Sequence, residues 1–128
     1  TPYLIATTSP VAFDPEAWQR SLDDMMALGP SAVCLTHFSK YASPESLVDM
    51  LRASIQAHVE IALAEEQRDP SGRAERLHAA VDEMLVKGAT ANLSIEEDTA
   101  RAILANDIGL NAQGLEVWLT RRARQRDA

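Results

Sequence analysis

The chain has 128 residues, 46% of them hydrophobic and 24% charged, which suits one folded domain able to bury roughly two-thirds of its unfolded surface. Its 12 basic and 19 acidic residues leave a net charge of -7, which repels phosphate backbones and argues against a nucleic-acid partner. A single cysteine excludes an internal disulfide, and no run reaches the roughly 18 apolar residues of a membrane helix.

Only 5% of the residues are aromatic, and Ala and Leu are abundant, so helix is favoured over sheet. Tyr3-Leu4-Ile5-Ala6 is a short apolar run suited to a strand, and Thr7-Thr8-Ser9-Pro10 breaks it. Asp14-Pro15-Glu16 is a helix start, with Asp as N-cap, Pro at the first helical position and Glu in the first turn. Trp18, Leu22, Met25 and Met26 follow at helical spacing, and Gly29-Pro30 stops a helix over residues 14–28. Ala32-Val33-Cys34-Leu35 reads as a buried strand, with Cys34 as a small core hydrophobe.

Beyond residue 42 the chain reads as helix. Ser43-Pro44-Glu45 opens a second helix over 44–67, with an apolar stripe of Leu47, Met50, Leu51, Ile55, Val59 and Leu63. Asp69-Pro70 ends it and begins a third over 70–87, carrying Leu77, Val81, Met84 and Leu85, with Gly88 as its stop. Ser94-Ile95-Glu96-Glu97 is a capping-box pattern for a fourth helix over 95–106 with Ala100, Ile103 and Leu104. Ile108-Gly109-Leu110 breaks that helix, and Asn111 caps a fifth over 112–125 with Leu115, Trp118 and Leu119. The expected fold class is mainly α with two or three short strands. The composition divides at residue 42 into a part with strands, 1–42, and a helical part, 43–128.

The chemistry-bearing residue is His37, in Leu35-Thr36-His37-Phe38 behind a helix and a Gly-Pro turn. A neutral imidazole at a strand end is held rigidly and can ligate zinc or iron. His58 and His78 stand alone on helices and read as surface or boundary residues. Glu65-Glu66 and Glu96-Glu97-Asp98 lack the alternating oxygen ligands of a calcium loop and read as solvated helix faces. Arg121, Arg122, Arg124 and Arg126 read as cations placed favourably at a helix C-terminus. The methionines read as core filler, and Trp18 and Trp118 as packing anchors.

The order Trp18-Gln19-Arg20-Ser21-Leu22, Met26-Ala27-Leu28-Gly29-Pro30, Val33-Cys34-Leu35-Thr36-His37-Phe38 resembles the C-terminal part of metallo-β-lactamase-fold hydrolases. In that family a helix leads through a short turn into a strand ending in a metal-binding histidine. The likeness is strongest over residues 10–52. Leu110-Asn111-Ala112-Gln113-Gly114-Leu115 is similar to the terminal helix of a subgroup with a helical extension. The resemblance implies the C-terminal part of an αββα core plus that extension, with His37 as the last histidine ligand of a dinuclear zinc or iron site. The family's main motif, His-x-His-x-Asp-His, is not in this sequence. The chain therefore reads as a C-terminal fragment of a metal-dependent hydrolase, without tight metal binding or turnover of its own. Its expected partners are the missing N-terminal part of the fold or a second copy in a homodimer, with no membrane and a cytoplasmic location. The alternative is a self-contained helical interaction module without catalysis.

Overall fold

Asp14 begins the first helix as its cap chemistry requires: the Ala17 N–H donates to Asp14 Oδ1 at 2.9 Å. Pro15, with φ preset for a helix, occupies the first turn of α1 (Pro15–Ala27). Gly29 stops it with a φ of 63°, in the left-handed region that glycine enters freely. The computed structural model describes residues 2–128. Among these the fold is mainly helical, with one two-stranded antiparallel ribbon.

That ribbon pairs β1 (Val33–Cys34) with β2 (Lys40–Tyr41), with Val33 opposite Tyr41 and Cys34 opposite Lys40. The Leu35 N–H donates to the Ser39 carbonyl at 3.0 Å and closes the turn between them. Cys34 is exposed rather than a core hydrophobe. The run Tyr3–Ala6 joins no strand ladder among the described residues. Its amides bond to helix side chains instead: Leu4 N–H to Met50 Sδ at 3.0 Å, and Ala6 N–H to Ser54 Oγ at 2.8 Å.

Three long helices follow: α2 (Pro44–Glu66), α3 (Arg73–Leu93) and α4 (Glu97–Asp127). α2 ends close to the expected boundary. Gly72, with φ 72°, then turns the chain into α3. Gly88 does not stop α3, which runs on to Leu93 and ends at Ser94 in the left-handed conformation. The capping box is not formed either: Ser94 caps the C-terminus of α3, and α4 starts after Glu96 without a side-chain cap.

The fourth and fifth expected helices are one continuous helix of 31 residues, α4. Gly109 lowers local helix propensity by about 1 kcal/mol relative to Ala. Burial of Ile108, Ala112, Leu115, Trp118 and Leu119 along one side of α4 outweighs that penalty.

The main core joins α3 and α4 through Leu77, Val81, Leu85, Ile108, Leu115 and Leu119, with Phe13 and Ala62 packed in. A second cluster sets Ala6 and Leu22 against Val48 and Ile55 of α2. Residues 2–13 thus form a strap across the helices. Gly88 leaves room on α3 for the Tyr3 ring, and a methyl group there would collide with the phenol.

Candidate functional site

His37 lies in the exposed turn between β1 and β2, three residues beyond the end of β1. Its neighbour Phe38 is 82% exposed. The structure brings neither of the other histidines to it. His78 is exposed on α3, and His58 is buried within α2. Among the described residues, no three His, Cys, Asp or Glu side chains come together in a way that could hold a metal ion. The residues present do not fit a mononuclear or dinuclear metal centre by themselves, since even a catalytic zinc takes about three protein ligands.

His58 departs most from expectation. It is 0% exposed, whereas a lone histidine on an amphipathic stripe reads as a boundary residue. Both ring nitrogens are engaged. Nδ1–H donates to the Ser54 carbonyl at 2.7 Å, one turn back along α2. Nε2 accepts from Asn111 Nδ2 at 3.1 Å. This is the neutral ring with its proton on Nδ1. Burial disfavours the imidazolium and is the main cause that lowers the His58 pKa, while the Ser54 carbonyl acts weakly in the opposite sense.

Asn111 is the hub of this buried cluster. Its Oδ1 accepts the Thr8 N–H at 2.9 Å, and its Nδ2 donates to the Ala6 carbonyl at 2.8 Å as well as to His58. The Thr8 hydroxyl donates to the Asn111 backbone carbonyl at 2.8 Å. The amide side chain therefore meets both directions of the strap backbone, as a neighbouring strand would. Buried polar groups are tolerated when every partner is present. Among the described residues no buried side-chain polar atom lacks one.

The strap lies along one face of α4. Asn111, Gly114, Trp118 and Arg121 recur at helical spacing. Gly114 is required by the approach of backbone to backbone: a Cβ at this position would overlap the Thr8 carbonyl oxygen. Trp118 meets Phe13 edge to face with ring centroids 5.6 Å apart. Arg121 donates to the carbonyls of Val11, at 2.9 Å, and Phe13.

The charged clusters are also more structural than their sequence suggests. Glu65 is buried and accepts from Arg68 at 3.0 Å and Arg76 at 2.8 Å. Glu66 accepts from Arg122 at 2.9 Å and meets Arg126 at 3.1 Å. Neither is part of a free acidic face. The Arg76 hydrogen bond holds the Glu65 carboxyl below its ordinary range against the opposing effect of burial. The Arg122 bond does the same for Glu66. The Arg122 guanidinium also sits 4.9 Å from the Trp118 ring centroid. Three of the four C-terminal arginines thus tie α4 to α2 and the strap, rather than only complementing a helix dipole. By contrast, Glu96, Glu97 and Asp98 are exposed, as a solvated helix face should be.

An open groove of about 430 Å³ lies between α3 and α4 beside His78, Glu75 and Glu116. Glu116 is held by two bonds from Arg73, both 2.7 Å, so it is not free to bind a ligand.

Asn111 and Gly114 are the residues whose role sequence reasoning missed. The signal was present: an Asn and a Gly within an otherwise helical apolar pattern are costly unless a tertiary contact needs them. No family model, curated protein or solved structure matches the chain.

Proposed function

We propose that the chain supplies His37, as one metal ligand, and a helical C-terminal extension to a metallo-β-lactamase-like metal-dependent hydrolase. The remaining ligands would come from sequence outside these residues. The observation that carries this reading is the exposed His37–Phe38 turn. An imidazole and a phenyl ring stand together in solvent, and an 82% exposed Phe is an apolar surface suited to cover by other chain. Among the described residues each ribbon strand also keeps one edge free of a strand partner. Such edges pair with further strands of a larger sheet, or with a second copy in a homodimer.

The chemistry expected of the whole hydrolase is metal activation of a water for attack on an ester, thioester, lactam or phosphoester. This chain's own part is to present an imidazole on a short, hydrogen-bonded turn. The test is the full-length protein that contains this chain. It should carry a His-x-His-x-Asp-His motif ahead of residue 1, bind two metals, and lose metal and turnover in His37→Ala. An unchanged metal content and activity in that variant, or the absence of the motif, would overturn the reading.

A second reading has its own support. The helices and strap close a core with buried polar side chains satisfied among the described residues, which suits a self-contained helical interaction module. Cooperative unfolding of a stable monomer with no motif ahead of it would favour this module.

A further inference from the structure

We propose that Asn111 and His58 form an acid-triggered latch, in which protonation of the buried imidazole releases the first part of the strap, residues 4–8, from α2 and α4. The geometry makes the two states exclusive. In the closed state the Asn111 amide has one orientation that serves all its partners. Oδ1 faces the Thr8 N–H, and Nδ2 faces both the Ala6 carbonyl and His58 Nε2. A proton on Nε2 removes the lone pair that Nδ2 uses and sets donor against donor. Rotating the amide by half a turn would bring Oδ1 to the imidazolium. It would also set Nδ2 against the Thr8 N–H, and Oδ1 against the Ala6 carbonyl. Asn111 can therefore satisfy the strap or a protonated His58, but not both.

Among the described residues no other ionisable group at this site takes over that role. On the strap, Tyr3 turns its hydroxyl toward Gly88 of α3. On α2, Arg52 is engaged with Gln19 and Asp23 of α1, Glu65 with Arg68 and Arg76, and Glu60 is exposed. On α4, Glu116 is bound to Arg73 of α3, and Asp107 is exposed. On α3, His78 is exposed. The causes that act on His58 are burial and the Ser54 carbonyl, with no charge–charge contribution.

A buried base that stays neutral when folded takes up its proton only by opening. Opening exposes His58 to water, where its pKa returns toward about 6.5. Above that pH the latch is indifferent to protons. Below it, and until the folded-state pKa is reached, the open form gains about tenfold in population per pH unit. Release should stop short of Phe13, whose ring packs on Trp118 and whose carbonyl is held by Arg121.

Amide hydrogen exchange of the wild-type chain, followed by NMR and corrected for intrinsic pH dependence, tests the latch. The Ala6 and Thr8 amides should lose about tenfold in protection per pH unit below about pH 6.5 and should at every pH be far less protected than Leu85 and Leu115, which exchange only through global unfolding. The Thr8 amide shift should titrate with the same midpoint as the His58 ring. Protection of Thr8 that stays flat to about pH 4.5, or that equals that of Leu85 at every pH, would overturn the proposal. His58→Gln should remove the pH dependence of Thr8, and a drop that persists in that variant would also overturn it. If His58→Gln does not fold, the wild-type comparison of Thr8 with Leu85 decides.

Discussion

Replacing Asn111 by Ala removes the hub of the buried cluster without touching the backbone carbonyl that Thr8 Oγ1 uses. Three bonds are lost: those to the Thr8 N–H, the Ala6 carbonyl and His58 Nε2. Each intact bond contributes only about 1 kcal/mol net, but a buried group left without a partner costs about 1–3 kcal/mol. Asn111 is 2% exposed, so water does not reach the vacated positions without local opening. Local opening of the strap relieves part of the penalty, which bounds the expected loss at about 3–5 kcal/mol rather than the full sum. Against a typical domain stability of about 5–15 kcal/mol, that is a large fraction. Urea unfolding followed by far-ultraviolet circular dichroism would read it as a lowered midpoint. Asp107→Ala, an exposed change one turn earlier on α4, should stay within about 0.5 kcal/mol of the parent and serves as the control. A loss below about 1 kcal/mol for Asn111→Ala would refute the hub and the strap geometry with it.

The two glycines of α4 should respond with opposite signs. Gly109 faces open space, so Gly109→Ala should stabilise by about 0.5–1 kcal/mol, whereas Gly114→Ala should destabilise by more than about 2 kcal/mol because neither colliding backbone can yield. Thermal melts of both variants check this, and a destabilising Gly109→Ala would mean that α4 is broken there. Glu65 and Glu66 have carboxyl pKa values held down by Arg76 and Arg122, so their contribution to stability is present above the unfolded carboxylate pKa and declines as pH falls through the folded one. Glu65→Gln should flatten that acid-side decline in a series of urea midpoints against pH; an unchanged slope would remove Glu65 from the account. His37→Ala, at an exposed turn, should change stability by no more than about 0.5 kcal/mol, and a larger loss would give His37 a structural role instead of a ligand's. Light scattering at micromolar concentration should show self-association through the free ribbon edges, and a clean monomer would count for the self-contained module.

Local signals were legible wherever a residue's own chemistry sets the backbone. Asp14-Pro15 begins α1, Gly29 ends it, and Pro44 places the start of α2 although the Ser43 side chain makes no cap bond, because caps and φ restrictions act within a few residues. The mainly helical class follows from apolar spacing for the same reason. The sequence places His37 at a strand end, whereas it lies three residues beyond β1 in the turn, and one imidazole cannot tell from sequence whether other ligands meet it. What only the tertiary structure decided are contacts between distant residues. Thr8 and Asn111 are 103 positions apart. Their pairing explains why Gly114 has no side chain and why Asn111 is buried inside a helix rather than capping one. The same signals, taken locally, mark a break at Ile108-Gly109-Leu110. His58 could not be recognised as buried because only the Ser54 carbonyl is supplied by its own helix, and the Asn111 amide reaches its other nitrogen only once α2 and α4 are side by side. Propensity is a sum over neighbours in sequence. Burial and hydrogen-bond satisfaction are sums over neighbours in space, and in α4 the second sum is the larger.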